Sequence, residues 1–163
     1  MRVVLPYVEG MLNHRVIPAI RRQHYEPIMW EINPEDPHHY RNLLGSWFEA
    51  ISVLGDLAIV EHDVESRTGF LHTFEECPEP YCFHAYHFAQ SFDDSGLDYA
   101  PLGHTRFRAT IQAELTSLIE SERWRTTPHY GDLDGIIGHH LGELGIGPHR
   151  HEGDVIHHHK YDD

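Results

Sequence analysis

The segment at residues 56–63, DLAIVEHD, is a short apolar run that ends in two carboxylates. Four consecutive apolar residues, 57–60, predict a strand that is buried on both faces of a sheet. In an extended chain Glu61 and Asp63 point to one side and His62 points to the other. Two carboxylates aimed together repel each other unless a cation joins them. We therefore expect a metal site here, with Asp63 as its main ligand; the alternative is a solvated strand end.

The composition fits one soluble domain and excludes several function classes. The chain has 163 residues and a formal net charge of −14, so it offers no basic surface for duplex nucleic acid. No apolar run approaches the ~20 residues that span a bilayer, and the apolar start is too short for a signal peptide. We expect a cytoplasmic protein. The chain holds 17 histidines, several of them close to its end.

The cysteines and the late histidines are the other candidate metal ligands. Cys77 and Cys82 are spaced C-x4-C, which we interpret as two ordinary cytosolic thiols; a disulfide or half of a zinc site is the alternative. The alternating pairs His149/His151 and His157/His159 each face one side of an extended chain. We expect His151 or His157 to join Asp63 on the metal. The alternative is a metal-catching tail without function.

Hydrophobic periodicity predicts alternating strands and helices. The expected strands are residues 3–5, ended by Pro6, and residues 27–33, 57–60 and 81–88. The expected helices are residues 9–23, 37–55 with Asp36 as N-cap, 68–76, 105–123 with Thr105 as N-cap, and 132–144. This order predicts an α/β layered fold with a mostly parallel central sheet flanked by helices. Ligands of such sheets bind at the carboxyl ends of the strands, here near residues 6–9, 33–36 and 61–63.

Five segments, taken in order, resemble a compact nucleotide-sugar glycosyltransferase of the GT-A type. They are VVLPY at residues 3–7, LAIVEHD at 57–63, YAPLGHTRF at 99–107, GDLDG at 131–135, and the histidines of 149–151 and 157–159. The second resembles the D-x-D element of that family, with Glu61 in place of the first Asp. The fourth stands where an inverting member has its catalytic base. The histidines of the fifth, at 149–151 and 157–159, resemble the late histidine that joins D-x-D on the metal.

The resemblance implies a single catalytic domain over residues 1–163, with a nucleotide-binding half (1–65) and an acceptor half (66–163). It implies a GT-A/Rossmann-like fold, Mn²⁺ or Mg²⁺ as cofactor and a UDP- or GDP-sugar as donor. The expected metal ligands are Asp63, Glu61, His151, His157, His149 and His159. The expected nucleotide-sugar contacts are Pro6, Tyr7, Glu9, Glu31, Asn33, Arg41, Glu61 and His62. The expected base is Asp134 or Asp132, although Asp132 is equally explained as a helix cap.

Other features leave alternatives open. Arg41 and Arg106 are candidates for diphosphate binding because guanidinium matches phosphate geometry, but each is equally explained as a surface arginine. Trp124 is a candidate wall for the acceptor. The acceptor itself is a small molecule, a glycan or a protein, and a homo-oligomer is possible. A metal-dependent hydrolase or phosphoesterase, or a noncatalytic histidine-rich metal-binding protein, are the competing functions; a hydrolase would usually pair two metals.

Overall fold

The structure is a computed structural model that describes residues 1–87, 101–127 and 130–158. Across these ranges seven strands form one sheet in the order β2-β1-β3-β6-β5-β7-β4. The strands are β1 (Arg2–Tyr7), β2 (Ile28–Glu31), β3 (Leu57–Val60), β4 (Val64–Glu65), β5 (Tyr81–His87), β6 (His104–Phe107) and β7 (His149–His157). None of the helices in the described part of the chain has both the length and the apolar composition that a membrane crossing requires.

The sheet is mostly parallel. Strand β1 pairs in parallel with β2 and β3, and β5 pairs in parallel with β7. Strand β6 is antiparallel to both β3 and β5, and β4 is antiparallel to β7. Five of the strands therefore run in one direction, which confirms the predicted α/β class with a mostly parallel central sheet.

Helices cover both faces of this sheet. They are α1 (Val16–Arg21), α2 (His39–Leu54), α3 (Phe70–Glu76), α4 (Gln112–Glu120), α5 (Glu122–Thr126) and α6 (Leu133–Glu143). Short 3-10 turns at Ala109–Ile111 and Tyr130–Asp132 precede α4 and α6.

Strand β3 is buried on both faces, as its four apolar residues predict. Leu57 and Ile59 belong to the larger core, which also contains the buried side chains of α2, α4 and α6. Ala58 and Val60 belong to a smaller core on the opposite face, shared with α1 and α3. The pleat sends successive side chains to opposite faces, so the continuous apolar run of β3 contributes to both cores.

The prediction of one helix over residues 105–123 is wrong. His104, Thr105 and Arg106 lie in β6, fully buried between two neighbouring strands, and the helical part begins only at Gln112. The helical spacing of Phe107 with the apolar residues that follow it continues across the strand end, so periodicity alone did not mark the boundary. Three consecutive polar residues also lack the apolar run that predicts a strand buried on both faces.

Three helix or strand boundaries also differ from the prediction. Helix α1 begins at Val16 rather than at residue 9, because the chain turns first, with Gly10 at a φ of +75°. Helix α2 begins at His39, since the Asp36 carboxylate accepts a hydrogen bond from the His38 backbone N–H at 2.9 Å. Strand β1 continues past Pro6 to Tyr7, because the φ of proline is compatible with an extended chain.

The carboxyl ends of β1, β2 and β3 lie along one edge of the sheet. The Ile32 N–H donates to the Tyr7 carbonyl at 2.7 Å, so the ends of β2 and β1 are joined. At the end of β3, the Glu61 N–H donates to the Gly103 carbonyl at 3.0 Å. This edge therefore carries the segments that the sequence marks as ligand-binding.

Candidate active site

A group of acidic and histidine side chains lies where β3 ends and where β7 returns to the sheet. Asp63 Oδ2 is 3.3 Å from His157 Nε2, and these side chains are 27% and 17% exposed. The contact exists because β4, which follows Asp63 directly, pairs with the end of β7 and places Val64 opposite His157. The His158 N–H also donates to the Asp63 carbonyl at 2.8 Å.

Glu61 lies beside this pair and receives a hydrogen bond from helix α2. The Tyr40 hydroxyl donates to Glu61 Oε1 at 2.7 Å. Burial raises the pKa of Glu61 to about 7, although the Tyr40 hydrogen bond opposes the shift. The charges of Asp63 and Asp134 also raise this pKa, so the three carboxyl groups are close enough to interact electrostatically. We call Glu61, Asp63, Asp134 and His157 the carboxylate cluster.

Asp134 reaches the cluster from the first turn of α6. Burial raises its pKa above the ordinary value, while a hydrogen bond from its own backbone N–H opposes the shift. The charge of nearby Asp132 raises the pKa further, and backbone N–H groups of Leu102 and Gly135 lower it. A partly buried carboxyl group with a raised pKa is suited to accepting a proton at neutral pH.

Asp63 has the properties of a metal ligand. Although burial opposes it, a hydrogen bond with His157 and the charges of His62 and His157 lower the pKa of Asp63, which keeps the group ionised. Its Oδ1 is buried and has no hydrogen-bond partner in the described ranges. An ionised carboxylate with an unsatisfied buried oxygen, next to an imidazole, is a donor set that suits Mn²⁺. The residues present therefore fit a divalent cation.

A pocket of about 440 Å³ opens at the carboxyl ends of β1 and β2. It is lined by Val8, Glu9, Glu31, Ile32, Asn33, Pro34, Glu35 and His39. The Tyr7 hydroxyl donates to Glu31 at 3.3 Å, and the Asn33 N–H donates to His39 Nδ1 at 2.8 Å. Three of the predicted nucleotide contacts, Glu9, Glu31 and Asn33, therefore line the same pocket. Its carboxylates are acceptors for hydroxyl or base N–H groups, not partners for bare phosphate.

Several predicted residues are not brought to the cluster. The Arg41 guanidinium donates to the carbonyls of Arg125 at 2.9 Å and Thr127 at 3.3 Å, at the end of α5. Arg106 is fully buried in β6 and donates to the Cys77 carbonyl. Pro6 is buried in β1, paired with Trp30.

The late histidines divide between two places on β7. His157 contacts Asp63, whereas His151 lies near Cys77 and Cys82, and His149 packs against His151 with ring centroids 4.9 Å apart. The separation follows from the strand, since six residues in an extended chain span about 20 Å. Asp132 is exposed at the start of α6, and His159 lies outside the described residues.

Sequence reasoning missed two residues of this region. Tyr40 and His39 occupy the first turn of α2, where periodicity marks Tyr40 only as a core position. The available signal was that a buried tyrosine usually finds a partner for its hydroxyl. Trp124, a candidate wall for the acceptor, is instead part of the larger core.

Comparisons with solved structures agree with this architecture. A glycosyltransferase involved in glycosylation of the major capsid of PBCV-1 is 10% identical, with a TM-score of 0.50, covering 96% of this chain and 93% of that one. A putative glucose-1-phosphate thymidylyltransferase from Bacillus anthracis is 9% identical, with a TM-score of 0.56 and coverages of 95% and 87%. A nucleoside-diphosphate-sugar pyrophosphorylase from Vibrio cholerae is 9% identical, with a TM-score of 0.52 and coverages of 95% and 94%.

The fold of this chain, a mostly parallel seven-stranded sheet with flanking helices, is similar to the folds of these solved structures. At these identities the likeness establishes the fold and not the reaction. No protein-family model matches the sequence, and no curated protein sequence matches it.

Proposed function

We propose that this protein is a metal-dependent glycosyltransferase of the GT-A type. The observation that carries the proposal is the carboxylate cluster, which joins Glu61 and Asp63 after β3, Asp134 at the start of α6 and His157 at the end of β7. Three chain segments far apart in sequence place acidic and imidazole groups at the edge where ligands of α/β sheets bind. The fold shared with nucleotide-sugar enzymes supports the same proposal.

Asp63 and His157 would hold the divalent cation, with Glu61 as a further ligand or as a partner of sugar and ribose hydroxyls. Bound there, Mn²⁺ or Mg²⁺ would supply Lewis-acid neutralisation of a leaving diphosphate. The cation is needed because the acidic pocket at β1 and β2 offers no arginine or lysine among its lining residues. Glu9, Glu31 and Asn33 would bind the nucleoside through its hydroxyl and N–H groups.

Asp134 is the proposed base of an inverting transfer. It would take the proton of the acceptor hydroxyl while that oxygen bonds to the anomeric carbon and the bond from this carbon to the diphosphate oxygen breaks. The raised pKa of Asp134 sets the direction of the pH dependence. Because the base must be ionised, turnover should fall as the pH drops, starting at a higher pH than for an ordinary aspartate.

The test is turnover of a panel of UDP- and GDP-sugars with Mn²⁺, measured as nucleoside diphosphate released. We expect release with one donor class, no release in chelator, and a loss of about 100-fold or more in Asp134→Asn with nucleotide affinity unchanged. Asp132→Asn, at the exposed residue that precedes α6, is the matched control and should retain most activity. Release of pyrophosphate from a nucleoside triphosphate and a sugar phosphate instead would contradict the proposal and assign a pyrophosphorylase reaction.

A further inference from the structure

A second group of potential metal ligands lies on the face of the sheet that α1 and α3 cover. Cys77 caps the C-terminal end of α3, Cys82 lies in β5, and His151 lies in β7. One ligand atom from each of these residues lies within 4.8 Å of the other two. The parallel pairing of Cys82 with His149 gives this arrangement, because it places the start of β7 directly beside β5.

The surroundings of these three side chains are unusual for a hydrophobic layer. Cys77 and Cys82 are 4% and 0% exposed, and both are free thiols. His151 Nε2 is buried and has no hydrogen-bond partner in the described ranges. A buried imidazole nitrogen without a partner is costly unless it meets a proton donor, an acceptor or a metal.

Arg106 adds a buried positive charge at the same place. Arg106 in β6 lies opposite Cys82 in β5, and the Arg106 guanidinium donates to the Cys77 carbonyl at 3.1 Å. Its Nε and Nη1 are buried without a partner at hydrogen-bond distance among the described residues. Buried N–H groups of a guanidinium need acceptors, and metal-bound thiolate sulfurs accept hydrogen bonds better than neutral thiols do.

We propose that Cys77, Cys82 and His151 form a structural site for a thiolate-binding transition-metal ion, and that Zn²⁺ is the ion these ligands suit best. Two thiolates and an imidazole are soft and borderline donors, unlike the carboxylates of the cluster at Glu61 and Asp63. On binding, the two thiols lose their protons to solvent and the sulfurs bond to the metal. Zinc in such sites usually has four ligands in tetrahedral geometry, and these residues supply three of them.

The proposed metal would tie three elements together. It would link the end of α3 to β5 and to the first part of β7, the strand that carries His157 at its other end. Without the metal, burial raises the pKa of the Cys82 thiol to about 12, and the charge of Arg106 opposes that shift. The site is separate from the carboxylate cluster, so it does not depend on the proposed glycosyltransferase activity.

Titration of the reduced, metal-free chain with Co²⁺ tests the proposal, because Co²⁺ substitutes for Zn²⁺ and reports thiolate ligation by charge-transfer absorption. We expect a thiolate-to-cobalt band that saturates at one ion per chain and disappears on adding Zn²⁺. Cys77→Ser/Cys82→Ser should abolish the band. The Asp63→Asn/His157→Ala variant, which alters only the carboxylate cluster, should retain it.

The His151→Gln variant protects the test against misfolding of the cysteine variant, since it leaves both thiols in place. We expect it to weaken Co²⁺ binding at least about tenfold, a loss seen even when a supporting residue of a metal site is removed. Zn²⁺ should raise the unfolding temperature of the wild type and not that of His151→Gln. No Co²⁺ binding by the wild type, Co²⁺ binding without thiolate absorption, or an unchanged Co²⁺ affinity in His151→Gln would overturn the proposal.

Discussion

Folding raises the pKa of Glu61 and so favours its protonated form. Its pKa rises to about 7 in the folded chain, against 4.5 for the unperturbed group, because the side chain is buried. Between these two values the folded chain binds a proton that the unfolded chain has released. The metal-free fold therefore loses stability as the pH rises from about 4.5 to about 7. A bound cation would take the place of this proton. It would neutralise the ionised Glu61 carboxylate and so restore the stability that the metal-free fold loses.

Replacing Glu61 by glutamine tests this explanation. Glu61→Gln keeps an oxygen for the Tyr40 hydroxyl and removes the charge. In chelator at pH 8 we expect the variant to be more stable than the wild type by roughly 2 kcal/mol, and the difference to vanish near pH 4. Urea unfolding at the two pH values measures it. A variant that is equally or less stable at pH 8 would contradict the assigned pKa.

At the scale of elements, the irregular strand β7 carries the residues of both proposed sites. Its register against β5 shifts between Phe83 and Ala85, and Gly153 lies in this irregular part with a φ of +82°. A Cβ at this position would lie 2.8 Å from Phe70 Cζ, and the Phe70 ring is stacked on His84 at 4.0 Å. Glycine is therefore required both by the backbone and by the close approach of α3.

We expect Gly153→Ala to destabilise the fold by about 1–3 kcal/mol, because alanine is strained at positive φ and meets the Phe70 ring. Thermal or urea unfolding measures the change. Gly147→Ala is the matched control, since nothing lies within 4 Å of its added Cβ. Equal stability of the two variants would show that the irregular part of β7 adjusts to a side chain without cost.

Arg41 can be tested for a structural role against a role in phosphate binding. Its guanidinium donates to carbonyls at the end of α5, where the last carbonyls of a helix have no partner within the helix itself. We expect Arg41→Met to lower the stability by about 1–2 kcal/mol through these lost hydrogen bonds. Nucleotide affinity, measured by calorimetry at a temperature where the variant is folded, should be unchanged. A tenfold loss of nucleotide affinity with unchanged stability would instead assign Arg41 to diphosphate binding.

At the scale of the whole molecule, much of the fold could be predicted because most of its core residues follow simple hydrophobic patterns. The apolar run of β3 and the alternation of strands with amphipathic helices suffice for the α/β class. Strand β6 was missed because its buried residues His104, Thr105 and Arg106 are polar, and only their neighbours in the sheet make them a strand. Tertiary pairing of this kind overrides local propensity.

The candidate site was predictable to the extent that it follows strand ends. Glu61 and Asp63 were predicted from the end of the apolar run of β3, and Asp134 from the resemblance of residues 131–135 to a glycosyltransferase segment. The choice between His151 and His157 was not predictable, because it depends on where β7 joins β4 and β5. The Tyr40 contact likewise depends on how α2 packs over the end of β3.

The central claim is that Asp63 and His157 form a cation-dependent nucleotide site at the edge of the sheet. Its most direct test is calorimetric titration of UDP and GDP, with Mn²⁺ and with chelator, into the wild type, Asp63→Asn and the exposed control Glu49→Gln. The claim predicts binding of one nucleotide with Mn²⁺, at least about tenfold weaker binding in chelator and in Asp63→Asn, and unchanged binding in Glu49→Gln. Failure of the wild type to bind either nucleotide with Mn²⁺, or equal affinity in Asp63→Asn, would contradict it.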